Sequence, residues 1–291
     1  MSNRSAAIAL VVLVIALSIS DVQAAEAPSA IYVMRTDGSQ LRKLVHVEGY
    51  VNHASPRWSH SGKFVAFEAA PADGGSRRCF VVAADGTDVR EIGLGMMPAW
   101  SPDDKQLAFH EYPDAGGPPR VVVQNVDGKG REEIAPGMSP RWSPDGRKLA
   151  IADGEMVRVM DLVTGEDMAL FEEPYFELFH GFSWSPDGKW LAVGVRAVAG
   201  QSRQLILVNA EGASAGISLR RKCSLGGYIS YSPDSKRLVY SADNQIQILE
   251  VAGTAGARVL PGQVEKSRCP DWSPDGSWIV FESERDNAEA K

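Results

Sequence analysis

Short apolar runs recur along the chain at nearly even intervals, each closed by Gly, Pro, Asp or Ser. One set reads "KFVAFE", "QLAFHE", "KLAIAD", "WLAVGV", "RLVYSA" and "WIVFES"; a second reads "AIYVM", "CFVVA", "VVVQN", "VRVMD", "LILVN" and "IQILE". Runs of this length, rich in Val, Ile and Phe and bounded by turn residues, predict β-strands. Several are apolar almost throughout, as in sheets covered on both faces.

Before each member of the first set stands a version of one turn. "WSPDG" begins at Trp142, Trp184 and Trp272, and looser copies begin at Trp58 ("WSHSG"), Trp100 ("WSPDD") and Tyr231 ("YSPDS"). The steps between these six aromatics are 42, 42, 42, 47 and 41 residues, a period that marks a propeller or a repeat array. Ser-Pro-Asp-Gly suits a type I turn closing a hairpin: Ser at the first position, Pro setting φ at the second, Gly at the fourth. Asp104 and Ser235 replace that glycine in two copies. Each unit then predicts four antiparallel strands, with a further glycine between the third and fourth: Gly38, Gly86, Gly128, Gly165, Gly212 and Gly253. Gly38 precedes every anchor, and only one strand follows Trp272. The predicted fold is therefore all-β, a six-bladed β-propeller of four-stranded antiparallel blades, its ring closed by N-terminal strands pairing with C-terminal strands so that no open edge remains. All seven tryptophans belong to the repeating hairpin, five as anchors and Trp190 and Trp278 just after the turn, and are expected to pack between blades.

In register, "SPRWSHSGKFVAFE", "PAWSPDDKQLAFHE", "SPRWSPDGRKLAIAD", "FSWSPDGKWLAVG", "ISYSPDSKRLVYS" and "PDWSPDGSWIVFES" resemble the WD-like repeats of TolB-type propellers. The resemblance covers essentially all of the chain beyond its N-terminal segment. It implies a periplasmic protein whose propeller meets another protein, as TolB meets a peptidoglycan-associated lipoprotein in the Tol-Pal system. The additional N-terminal domain of TolB proper is not expected here, because few residues separate the N-terminal segment from the first strand.

That segment changes the picture of location. Arg4, the apolar run Ala6 to Ile19 and the small residues ending at Ala24 form a secretory signal peptide over residues 1–24, with residues 25–291 as the propeller. The apolar run is too short to span a bilayer comfortably, and no later run could. The protein is expected to be periplasmic or secreted and monomeric. Among 291 residues, 44% are hydrophobic and 23% charged, with a net charge of −7; this speaks against nucleic acid, which demands clustered Lys and Arg. Three cysteines, Cys79, Cys223 and Cys269, leave one unpaired if a bridge forms. Cys223 and Cys269 lie in passages leading into neighbouring blades and are the disulfide candidate; three buried thiols are the other reading.

Loops between second and third strands, and passages between blades, vary most and fall on one face of the disc. Binding is expected on that face or in the central channel. The candidates are Tyr175, Phe176, Phe179 and His180 in "EEPYFELFHG", Arg220, Arg221 and Lys222 in "RRKCSLGGY", with Arg268 and His53. The aromatics suit an interface anchor, or fold back as a satellite core. A protein, peptide or cell-envelope partner follows, such as an envelope lipoprotein, with no cofactor. The alternative is a small propeller enzyme of lyase or cyclotransferase type, with a channel-mouth site near His53 and His180. Two histidines with no carboxylate at fixed spacing define no metal site. "GASAG" around Ser214 matches the nucleophile-elbow pattern, but it lies in a hairpin and no histidine follows His180, so no catalytic set assembles.

Overall fold

The computed structural model describes residues 28–284, apart from residues 114–115, 154–155, 173–175, 198–202, 212–216, 223–224, 253–255 and 264–265; of residues 171–172, 176–180, 197, 217–222 and 225–227 it describes the backbone alone. The described residues form twenty-four strands. The chain opens with β1 (Ala30–Arg35) and β2 (Arg42–Val45). Five complete blades follow. They are β3 (Tyr50–Trp58), β4 (Phe64–Pro71), β5 (Arg78–Ala83) and β6 (Arg90–Leu94); then β7 (Met96–Trp100), β8 (Gln106–Glu111), β9 (Arg120–Asn125) and β10 (Glu132–Pro136). The third is β11 (Met138–Trp142), β12 (Lys148–Asp153), β13 (Met156–Asp161) and β14 (Asp167–Glu172). The fourth is β15 (Phe176–Trp184), β16 (Trp190–Ala197), β17 (Arg203–Asn209) and β18 (Ile217–Lys222); the fifth is β19 (Leu225–Tyr231), β20 (Arg237–Ala242), β21 (Gln245–Glu250) and β22 (Arg258–Val259). Finally β23 (Ser267–Trp272) and β24 (Trp278–Ser283) join the first two strands in the order β2-β1-β24-β23. This is the predicted closure: β1 pairs with β24 over six residues, from Ala30 opposite Ser283 to Arg35 opposite Trp278.

The Ser-Pro-Asp-Gly copies form the turns their chemistry dictates. In the third blade the Gly146 amide donates to the Ser143 carbonyl at 2.9 Å, and Gly146 takes φ 72°. Asp104 and Ser235, which stand in for glycine, both adopt φ 59°, a left-handed conformation that Asp adopts more readily than Ser. The serine hydroxyl donates to the turn aspartate, as from Ser143 to Asp145 at 2.6 Å, and accepts the amide of the residue opening the next strand, Lys148, at 2.9 Å. Departures in the first two blades compensate each other. His60 replaces the turn proline and so regains an amide, and this amide and that of Ser61 donate to the Asp104 carboxylate of the next blade at 2.7 and 2.8 Å.

Six apolar clusters fill the six spaces between blades. Every anchor sits in the cluster shared with the preceding blade: Trp100 with Ala66 and Val81, Trp184 with Ala150 and Val157, Trp272 with Val239 and Ile248. The tryptophans are interblade core, as expected. The indole Nε1 of Trp100 also donates to the Arg57 carbonyl, and that of Trp184 to the Arg141 carbonyl, both at 3.1 Å.

The passages between blades are shorter than the sequence suggested. "FELFHG" belongs to β15 and "LRRK" to β18, while β3 and β15 each run nine residues. Bulges take up the extra length: the five residues from Leu178 to Phe182 oppose the three from Val195 to Val193, and the five from Leu225 to Ile229 oppose the three from Ala242 to Tyr240. A bulge adds residues to one strand without lengthening its partner.

Candidate functional site in the central channel

Six inner strands converge on the axis, so equivalent residues from all blades face one another. Three such positions vary while the frame around them repeats. The residue before the anchor is Arg57, Ala99, Arg141, Ser183, Ser230 or Asp271. The bulged residue two positions earlier is Ser55, Met97, Ser139, Gly181, Tyr228 or Cys269, of which Ser55, Met97, Ser139 and Cys269 hold φ between 52° and 55°. The fifth residue of the second strand is Glu68, His110, Ala152, Gly194, Ser241 or Glu282.

The first of these positions floors a cavity of about 330 Å³. The anchor aromatics form its walls, and Pro144, Pro186, Pro233, Pro274 and His60 its rim. It opens on the face that bears the Ser-Pro-Asp-Gly turns. At the floor, Arg57 and Arg141 are 6% and 8% exposed. Arg57 Nη1 reaches Asp271 Oδ1 and the Pro270 carbonyl, each at 3.4 Å, while its Nη2 is buried without a hydrogen-bond partner. Asp271 Oδ2 also accepts the Trp58 amide at 2.8 Å, tying the sixth blade to the first. Arg141 Nη1 donates to the Pro140 carbonyl at 2.7 Å. Burial, and then the neighbouring charge of Arg57, lower the Arg141 pKa to about 9. It remains a cation at neutral pH. Ser183 and Ser230 hydroxyls donate to the carbonyls of Trp184 and Tyr231 and accept the amides of Tyr231 and Trp272.

Farther along the axis, the other two positions interlock. Glu68, buried at 3% exposure, accepts the Met97 amide at 3.0 Å through Oε2 and the Ser55 hydroxyl at 2.9 Å through Oε1. Glu282 accepts the Ser55 amide at 3.3 Å, and His110 Nδ1 the Ser139 amide at 3.5 Å. In each case a second-strand side chain satisfies the bulge amide of the following blade, an amide the bulge has removed from its own ladder. Tyr228 crosses the axis from the fifth blade to the first: its hydroxyl lies 3.0 Å from Ser55 Oγ, and its ring lies under the Arg57 guanidinium at 5.5 Å.

Burial raises the Glu282 pKa from 4.5 to about 7, opposed by a hydrogen bond from the Cys269 thiol and the charge of Arg268, and reinforced by Glu68. The native state therefore holds a proton that the unfolded chain releases near pH 4.5. This contribution is complete below pH 4.5 and is lost as pH rises through about 7, at up to about 1.4 kcal/mol per pH unit. Urea unfolding of the wild type is expected to show stability falling across that window, and Glu282→Gln, which keeps an acceptor for the Ser55 amide, to flatten the fall. An unchanged slope in the variant would assign the titration elsewhere.

The candidates expected on the opposite face divide into three groups. His53 is fully buried: its Nε2 accepts the Val47 amide at 2.9 Å, and its ring lies 4.6 Å from that of His46 and 6.0 Å from that of Phe67. Burial, with the His46 charge, lowers its pKa to about 4, and its Nδ1 is buried without a hydrogen-bond partner. Arg268 is half-buried and committed to Asn244 Oδ1 at 3.0 Å and Glu284 at 3.7 Å. Tyr175 and Cys223 lie outside the described residues, as do the side chains of Phe176, Phe179, His180, Arg220, Arg221 and Lys222. Cys269, the expected partner of Cys223, is a buried free thiol. Among the described residues no three His, Cys, Asp or Glu side chains gather as a metal would require, and no helix is long and apolar enough to cross a membrane.

The molecule is thus a closed six-bladed propeller with a small, aromatic-walled funnel over two buried arginines. Neither a protein-family model nor a curated protein sequence matches the chain. Solved structures do. A TolB-assigned protein from Agrobacterium tumefaciens superposes with a TM-score of 0.68 at 17% identity, over 88% of this chain and 98% of that one. TolB from Acinetobacter baumannii gives 0.59 at 16% identity, over 94% of this chain and 68% of that one. Oligogalacturonate lyase from Vibrio parahaemolyticus gives 0.55 at 13% identity, over 84% and 80%. These likenesses establish the fold, which is the TolB-type propeller the repeats resemble, and the same fold is found in an oligogalacturonate lyase.

Proposed function

We propose that the protein is an exported, non-enzymatic binding propeller that receives part of a protein, peptide or cell-envelope component in the turn-face mouth of its channel. The observation that carries this reading is the funnel itself: a concave, mostly apolar space with a few convergent polar groups is the usual form of a binding site. Its two floor serines spend their hydroxyls on the backbone, which supports binding over nucleophilic chemistry. Export rests on residues 1–24, which lie outside the described residues. An envelope location also agrees with the fold of the TolB proteins, and the protein is taken to act as a monomer. The opposite face, where Tyr175, Phe176, Phe179, His180, Arg220, Arg221 and Lys222 gather in sequence, is the competing entrance.

Photo-crosslinking separates the two faces. A benzophenone amino acid at exposed His60, on the funnel rim, is expected to give a discrete adduct with an envelope component. The same group at exposed Asp73, in the loop between β4 and β5, is expected to give none. Adducts from Asp73 alone would move the site to the variable face.

A further inference from the structure

The residues lining the funnel floor carry more positive than negative charge. Among the residues lining the cavity, Arg57 and Arg141 face one carboxylate, Asp271, with His60 half-exposed at the rim. Two arginines against one aspartate leave the floor with an excess of one positive charge, inside a protein whose overall charge is −7. Each guanidinium offers five N–H donors in a planar fork. Arg57 engages its neighbours through Nη1 and leaves Nη2 buried without a partner; among the described residues Arg141 makes its hydrogen bond to the Pro140 carbonyl and has no ion pair. Buried guanidinium pairs are held against their mutual repulsion at a cost unless an anion joins them. Asp271 makes its ion pair with Arg57, and its second oxygen accepts the Trp58 amide. Above the floor the surroundings change to indole, phenol and proline rings.

Resting on the reading of the funnel as the binding site, we propose that its floor is a carboxylate site: Arg57 and Arg141 together receive a singly charged carboxylate whose apolar or aromatic body lies against the tryptophan walls. The excess of one positive charge matches one negative charge, and the planar forks match a carboxylate in shape. A cavity of about 330 Å³ has room for about ten water-sized groups. That admits a small organic acid or the last residue of a peptide with a free C-terminus. Both present the same chemistry to the floor.

Titration calorimetry on the mature protein tests the assignment with 3-phenylpropanoate and its neutral isostere 3-phenylpropanamide, and with the tripeptide Ala-Ala-Phe as free acid and as C-terminal amide. At least one acid is expected to bind at least tenfold more tightly than its amide, and the tighter acid identifies the source. Arg141→Met, which keeps much of the side-chain volume, is expected to erase the preference without weakening the amide. Arg57→Lys, which keeps the Asp271 ion pair but removes the fork, is expected to reduce the preference at least threefold. Equal affinity for acid and amide in the wild type, or no binding of either acid, overturns the carboxylate site without needing any variant. The crosslink from His60 stands or falls separately, so a funnel that binds a neutral partner is told apart from a funnel that binds nothing.

Discussion

Replacing Glu68 by alanine is expected to cost about 3–5 kcal/mol, because it removes a buried carboxylate that accepts from both the Met97 amide and the Ser55 hydroxyl. The Met97 amide, fixed at φ 54° by the bulge in β7, donates to Glu68 Oε2, and the Ser55 hydroxyl donates to Oε1. Arg77 Nη1 stands 4.0 Å from the same carboxylate. Ser55 can turn its proton towards Tyr228, 3.0 Å away. The amide cannot turn, since its direction is set by the backbone, and an orphaned buried amide alone costs about 1–3 kcal/mol. Glu68→Gln isolates this cause. Its carbonyl oxygen can accept from Met97 while its NH₂ donates to Ser55 Oγ, which then donates to Tyr228, so it should lose less than about 1 kcal/mol. Urea midpoints at one pH decide the matter. If glutamine proves as harmful as alanine, the charge beside Arg77 matters rather than the acceptor; if alanine lies within 1 kcal/mol of wild type, the bulges do not depend on their interblade partners.

The same residues show why the fold could be read from the sequence and the contacts along the channel axis could not. A blade is announced by local chemistry: Ser143, Pro144, Asp145 and Gly146 sit within four residues and make their turn among themselves. The split blade followed from counting, since Gly38 had no anchor before it and Trp272 had no third strand after it. Glu68, by contrast, works through Met97 in the next blade, and Ser55 meets Tyr228 across the axis. Only closure of the ring brings these together. A signal was nonetheless present: in six copies aligned on the aromatic, the residue before it reads Arg, Ala, Arg, Ser, Ser, Asp while its neighbours repeat. The repetition of "WSPDG" pointed away from the turn face, whereas the same repetition, arranged in a ring, builds the funnel walls there. Loop length misled in the same way, because β15 and β18 absorb much of what looked like variable surface, and His53 proved to be packed beneath it.

Closure itself yields the second large expected effect. Val33→Pro should destabilise the protein by more than about 3 kcal/mol, while Val33→Ala, which keeps the amide, should cost only the lost methyl packing, about 1–2 kcal/mol. Val33 is 1% exposed and lies in a strand paired on both sides, opposite Arg42 of β2 and Val280 of β24. Proline removes a ladder donor and places its ring where a neighbouring strand must pass, and sheet interiors do not accommodate it. In any other blade the damage would fall on strands contiguous in sequence, which could re-form their hairpin locally. Here β1 and β24 are far apart in sequence, and they meet through their pairing and through packing on both faces: Ile31, Val33 and Val280 against Val65 and Phe67 of the first blade, and Tyr32, Met34, Ile279 and Phe281 against Val239 and Ile248 of the fifth. Weakening that seam releases β23 and β24 together, and with them Asp271, which holds Arg57 at the funnel floor. Limited proteolysis of folded Val33→Pro is therefore expected to cut first near residues 260–284, and carboxylate affinity to fall with the same dependence on urea. Initial cleavage elsewhere, or full stability in the proline variant, would mean that the ring is held by packing between blades and not by its shared strand pair.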